Sequence, residues 1–367
     1  MGAAVMPLFR RASVPGSSRP GPPGPAPAPS RACRAQLLTP IALTALTTLV
    51  ALIALIAWIY LIAWISLIVL ISLITPKGCP SVKIALDPYM FRNVPLLELP
   101  GLVAELGFEW IEMSPREDFN PFFLHPRVDD GTVQKFRKEL SAAGVGISSV
   151  LPLYKWSSPD EDERQAAVRY WKRAIQITAD LGVSAMNSEF NGRPEKADTS
   201  EGQFWRSLEE LLPIFEREGI TLALEPHPDD FIEDGHAAVD MIRGINNPLV
   251  SFLYCAPHTF HQGNDAPGIL KHAGGLTTAV HLADSFDHTG SSGLRYIVNP
   301  PGSTVRIHQH LDIGQGEVDF DELFRELVAN GFDGTLVSSV FAWEERAKES
   351  SRFMRAKIDE YVTRHWS

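Results

Sequence analysis

Cysteine is scarce in this chain. There are three in 367 residues, Cys33, Cys79 and Cys255, and no CxxC spacing. That is too little for a disulfide framework, and it suits a reducing compartment. Basic charge is also short: 33 Lys and Arg stand against 44 Asp and Glu, a net charge of −11. An acidic surface repels phosphate backbones, so nucleic acid is not the expected partner. A glycine-rich phosphate loop is missing after the first well-patterned apolar run, where Asp87-Pro88-Tyr89-Met90 follows instead. Its absence argues against a dinucleotide-binding open sheet.

Local absences divide the N-terminal part. Residues 1–36 hold no acidic residue but five arginines among Pro, Ala, Gly and Ser. Such a composition cannot bury a core, so disorder is expected over 1–40. The stretch 41–75 carries no charge at all. Its length suffices for a membrane-crossing helix, since about 20 apolar residues span a bilayer. With the arginines ahead of it, such an anchor would keep the N-terminus in the cytoplasm and place everything after Lys77 on the far side. The tract also repeats itself, Leu55-Ile-Ala-Trp-Ile59 and then Leu61-Ile-Ala-Trp-Ile65. Translated repetitive DNA upstream of a true start near residue 80 would read the same way. The protein is then cytoplasmic in one reading and a single-pass membrane protein in the other.

From residue 82 onward, short apolar runs alternate with amphipathic stretches. Strands are predicted at 82–86, 109–113, 146–151, 183–187, 220–225, 250–255, 278–283 and 335–340. Helices are predicted at 95–106, 129–143, 160–181, 201–218, 235–244, 265–273, 319–330 and 344–363. Gly107, Gly144, Gly182, Gly219 and Gly331 stand just past five of them, the usual left-handed stop signal. Asp160-Glu161-Asp162-Glu163 reads as a helix start, where acidic side chains meet the positive end of the dipole. Eight strand–helix units in strict alternation imply an α/β (β/α)8 TIM barrel over 82–367.

In such a barrel the active site lies at the C-terminal ends of the strands. The candidate ligands fall there. Glu112 ends the second strand, Glu189 follows the fourth, and Glu225 and His227 close the fifth. Cys255 and His258 close the sixth, and His281 and Asp284 the seventh. His308-Gln309-His310 lies in the long connection after it, and two imidazoles at period two share one side of an extended chain. Nine of the eleven histidines fall from His227 to His310. Neutral imidazole is the commonest metal ligand, so this density points to one divalent ion, Mn or Zn. Glu225, His258, His281 and His310 are the expected metal ligands, with Glu189 and His227 as proton-transfer groups. Glu112, Trp156, Asp284, Arg295 and His308 are expected to face the substrate. Tyr154, Phe119 and Phe122 could add apolar walls, and Arg193 a phosphate contact.

The stretches KIALDPYMFR, NSEFNGRPE, PHPDDF, APHTFH, GLRYIVNPPG and HQHLDIGQGEV resemble the sugar phosphate isomerase/epimerase family, the xylose-isomerase-like TIM barrels, and within it the inositol-catabolism branch. The resemblance covers 82–367. It implies a metal-binding Glu at Glu225 and a metal-binding His at His281. The D-x-x-H pattern of the sixth strand appears as Cys255-Ala-Pro-His258, and the Glu of the eighth as Ser338 or Ser339. His258 and His310 are the replacements available. The family is also similar to the metal-bearing catalytic subunit of C-glycoside deglycosidases, which works with a small β-rich subunit. The expected activity is isomerisation or epimerisation of a sugar, sugar phosphate or keto-inositol, with a lyase or a non-catalytic sugar-binding barrel as alternatives. A homo-oligomer is compatible with all three.

Overall fold

The computed structural model describes residues 49–64, 82–263, 265–285 and 309–366. The chain divides into two units, Met1–Pro76 and Lys77–Ser367. In the first, residues 49–64 are helical with their large apolar side chains exposed. No helix among the described residues is long and apolar enough to cross a membrane. The anchor expected over 41–75 therefore has no spanning helix behind it among these residues. The rest of that stretch, and the segment 1–40, lie outside the described residues.

The second unit is a closed barrel of eight parallel strands in sequence order. They are β1 (Lys83–Leu86), β2 (Trp110–Met113), β3 (Gly146–Val150), β4 (Ala185–Glu189), β5 (Thr221–Glu225), β6 (Val250–Cys255), β7 (Thr277–Leu282) and β8 (Thr335–Ser338). Pairing of β1 with β8 from Lys83↔Thr335 to Leu86↔Ser338 closes it. The helices between are α1 (Leu99–Glu105), α2 (Asp130–Ala143), α3 (Glu161–Asp180), α4 (Ala197–Glu218), α5 (Gly235–Ile245), α6 (Ala256–His261), α7 (Ala266–Ala273), α8 (Phe320–Ala329) and α9 (Ala347–Trp366).

Every predicted strand and helix is present, with two differences that bear on the site. β4 ends on Glu189 itself rather than two residues earlier, so Glu189 is held by strand pairing with Glu225 of β5. The run between the predicted strand 250–255 and helix 265–273 holds the short helix α6. Its Pro257 sits in the first turn, where a preset φ favours helix and the missing N–H has no intrahelical partner to lose. Asp160 caps α3 by accepting from the backbone N–H groups of Asp162 and Glu163, as the acidic cluster implied.

Two kinds of packing hold the barrel. Large side chains such as Trp171, Phe204 and Phe215 fill the space between strands and helices in one extended core. Inside the barrel, side chains two apart on a strand share a face. Ala223, Leu253, Cys255 and Ala279 form a small separate cluster. Glu225 lies two residues after Ala223, and His281 two after Ala279. The lumen is thus plugged by apolar groups below and lined by polar ones at its mouth.

Candidate active site

Strand ends converge on a small cavity at that mouth, of about 30 Å³. Glu189, Glu225, His227, His258, His281 and His310 all line it, and all are buried. Six groups separated by as many as 121 positions in sequence are therefore brought together as the strand alternation predicted.

Glu225 is the hub. Its Oε1 lies 3.1 Å from His281 Nδ1 and 3.1 Å from His258 Nδ1. Burial works against its charge, but His281 and His258 hold the carboxyl well below the usual range. The same carboxylate acts on the rings in turn. Burial disfavours a charged His258, yet Cys255 and Glu225 raise it to about 10. His281 is held between two carboxylates, donating from Nε2 to Glu112 Oε1 at 2.6 Å, and is raised well above the ordinary value despite burial. His310 behaves oppositely: burial and the nearby His258 lower it to about 3. Its Nδ1 donates to the Ser339 carbonyl at 2.6 Å, which leaves Nε2 as an acceptor 3.3 Å from His258 Nε2. Phe341 stacks on the ring with centroids 4.3 Å apart. A carbonyl that fixes the tautomer of an imidazole is the usual support for a metal-binding histidine.

His227 and Glu189 form a second pair, Nε2 to Oε1 3.6 Å, with His227 Nδ1 donating to the Pro228 carbonyl at 2.6 Å. Tyr89, Phe122, Leu151, Leu153 and Phe341 make the apolar wall. Tyr89 and Phe341 were not singled out from the sequence, because aromatic residues in loops carry no signal of which way they face.

The donors fall into overlapping groups whose ligand atoms lie within 4.8 Å of one another: Cys255, His258 and His310 in one, and Glu225, Cys255 and His281 in another. The four expected ligands thus appear across two groups that share Cys255. Each group is a donor set of the kind that suits a divalent ion, and neither contains all four expected ligands.

The expected substrate contacts are distributed differently. Glu112 is buried beneath the cavity and does not line it. Ser149 donates to its Oε2 at 2.7 Å, Asn187 donates to the same oxygen, and His281 takes the other. Trp156 is buried in the outer core, donating to the Glu189 carbonyl at 3.1 Å and packing on Trp171 and Phe204. It therefore positions the strand that carries Glu189. Asp284 accepts from the backbone N–H groups of Ser285, Gly314 and Val318, so its oxygens are turned to the chain rather than to the cavity. Tyr154 and Phe119 are core residues, His261 ends α6 outside the cavity lining, and Arg193 is exposed. Arg295 and His308 lie outside the described residues. A further lining residue that the sequence did not mark is Asp87, just past the end of β1. Burial, and then Glu112, push its carboxyl up to about 7. An aspartate before a proline reads as turn chemistry, so nothing in the sequence marked it.

Comparison with known proteins bears on the family and the fold. The chain is 23% identical over 255 residues to the L-ribulose-5-phosphate 3-epimerase UlaE of Salmonella heidelberg, covering 67% of this chain and 82% of that one. Its fold is similar to the zinc-bound IolI protein, with a TM-score of 0.62 and 17% identity over 78% of this chain and all of that one. It is also similar to D-psicose 3-epimerase with D-tagatose from Clostridium cellulolyticum H10, with a TM-score of 0.59 and 16% identity over 76% of this chain and 98% of that one. The profile of the xylose isomerase-like TIM barrels matches residues 100–357. That span carries the strand-end histidines and carboxylates of β2 and of β4 to β7, and the chain therefore belongs to the xylose isomerase-like TIM barrel family, which includes sugar 3-epimerases.

Proposed function

We propose that this chain is a divalent-metal-dependent isomerase or epimerase that works through an enediolate on a hydroxy-ketone: a sugar, a sugar phosphate or a keto-inositol. The observation that carries the reading is the meeting, in one buried cavity, of a metal-type donor set with a separate carboxylate–imidazole pair. Glu225, His258, His281 and His310 would hold the ion. When bound, it supplies a Lewis acid that polarises the carbonyl and acidifies the adjacent C–H. Glu189 stands apart from those donors and takes the proton from that carbon. His227 presents Nε2 toward Glu189 and returns a proton to oxygen or to the neighbouring carbon. The two groups stand 3.6 Å apart on the cavity wall, a spacing that would let both act on neighbouring substrate atoms. The Tyr89, Phe122 and Phe341 wall would shield an intermediate from water, which would protect it and strengthen the fixed charges. Ser338 and Ser339 stand where a second glutamate is expected in this family, and His227 fills that proton-transfer role. The inositol branch belongs to this proposal, on the resemblance of the motifs and the likeness to IolI.

The test is solvent exchange. Metal-loaded protein is incubated in D2O with ketoses, ketose phosphates, keto-inositols and 3-keto glycosides, and label at the carbon beside the carbonyl is followed by NMR. Exchange with at least one of them is expected, and Glu189→Gln should slow it about 10²–10⁴-fold, the usual worth of a placed proton-transfer group. A folded, metal-loaded protein that exchanges none of them would sink the reading. Release of an aglycone from a 3-keto glycoside would move it to the lyase.

A further inference from the structure

Cys255 is the described cysteine, and it is 1% exposed. It closes β6 directly across from His281, its register partner on β7. Its sulfur belongs to both donor groups, with His258 and His310 on one side and with Glu225 and His281 on the other. Packing alone explains a small apolar residue there, but not why it meets three imidazoles.

The histidines themselves point to an ion beside the sulfur. His310 is fixed by the Ser339 carbonyl so that Nε2 faces inward, and that atom lies 3.3 Å from His258 Nε2. Two ligand nitrogens about 2.0–2.1 Å from a tetrahedral zinc stand roughly 3.3 Å apart. A thiolate completes such a site at about 2.3 Å. We propose that Cys255, which the two donor groups share, is a metal ligand added to the set Glu225, His258, His281 and His310, and that its thiolate makes a centre that selects zinc over manganese or magnesium. Thiolate is a soft donor and suits zinc, whereas carboxylate and water sites suit the harder ions. The thiol gives its proton to solvent as the ion binds, because only the thiolate ligates. This rests on the reading of the cavity as a metal centre and decides which metal it holds.

The experiment uses the full chain, purified without chelator. Bound metal is measured by plasma mass spectrometry, and zinc-edge X-ray absorption reports the first coordination shell. Cobalt is then exchanged in, and the near-ultraviolet spectrum of the parent is compared with those of Cys255→Ser and Cys255→Asp. Bound zinc is expected, with one sulfur at about 2.3 Å, and with cobalt a strong thiolate-to-metal band that Cys255→Ser loses. Cys255→Ser should bind zinc more weakly by more than the roughly 10–100-fold that loss of a supporting contact costs. Cys255→Asp should shift the preference toward manganese. A shell of nitrogen and oxygen alone would overturn the role of Cys255 and leave the metal centre standing. A folded protein that binds no metal would overturn both. The absorption measurement needs only the parent, so a variant that fails to fold leaves the proposal open to refutation.

Discussion

Asp87 follows β1 directly, with its two carboxylate oxygens in different circumstances. Oδ1 accepts from Ser114 Oγ at 2.5 Å and from the Tyr89 N–H at 2.9 Å, while Oδ2 has no hydrogen-bond partner among the described residues and the residue is 1% exposed. The cost of ionising it there is why its carboxyl titrates near 7 rather than at 3.8. Below pH 3.8 both the folded and unfolded chains hold this proton. Between 3.8 and about 7 only the folded chain holds it, so stability falls as pH rises, by up to about 1.4 kcal/mol per unit. Above that window the loss is complete and the slope vanishes. Asp87→Asn keeps an acceptor for Ser114 and Tyr89, and it should flatten this slope in urea unfolding of the metal-free protein from pH 4 to 8. An unchanged slope would show that Asp87 is ionised throughout. Glu225 and His281 were legible as site residues because a charged or polar group ending an apolar strand needs a reason. Asp87 was not, because Asp-Pro is common turn chemistry.

At the scale of elements, the connection after β7 matters most, since it carries His310. Asp284 and Leu311 exchange backbone hydrogen bonds at 2.8 and 2.9 Å. The Asp284 carboxylate accepts from the Gly314 N–H at 2.8 Å and the Val318 N–H at 3.1 Å. Gly316 passes so close that an added Cβ would meet Asp284 Oδ1 and the Ser285 carbonyl at 2.4 Å. Asp284 therefore acts on the site through the loop it gathers, although its place beside His281 suggested a direct contact. Asp284→Ala strands buried donors, at about 1–3 kcal/mol for a stranded group. It should lower the denaturation midpoint and weaken metal binding together, as read by urea titration and calorimetry. Gly316→Ala should weaken metal binding in the same direction through displacement of that loop. Full metal affinity in both variants would show that His310 is held independently of Asp284.

For the whole molecule, the barrel unit Lys77–Ser367 closes upon itself through β1 and β8 and contains both core clusters. A chain beginning at residue 77 should fold alone and melt within about 2 °C of the full chain, since roughly 1 kcal/mol moves a domain of this size by that much. A drop well beyond this in scanning calorimetry would mean that the preceding segment supports the barrel. The barrel itself was readable from order alone. Alternating strand and helix patterns, with Gly144 and Gly219 stopping helices in left-handed geometry at φ of 67° and 65°, allow few folds, and a parallel closed sheet places strand ends on one face. By the same logic the sequence determined which residues could meet at the mouth of the barrel: Glu189, Glu225, His227, His258 and His281. Only the tertiary structure decided what each of them faces. It turned Glu112 under His281, Asp284 into its own loop and Trp156 into the outer core, and it set Cys255 among the imidazoles. The physical reason is that hydrophobic period and helix stops are local and survive in one dimension. The direction of a side chain at a strand end depends on the register of its neighbours and on the loops above it, which come from distant parts of the chain.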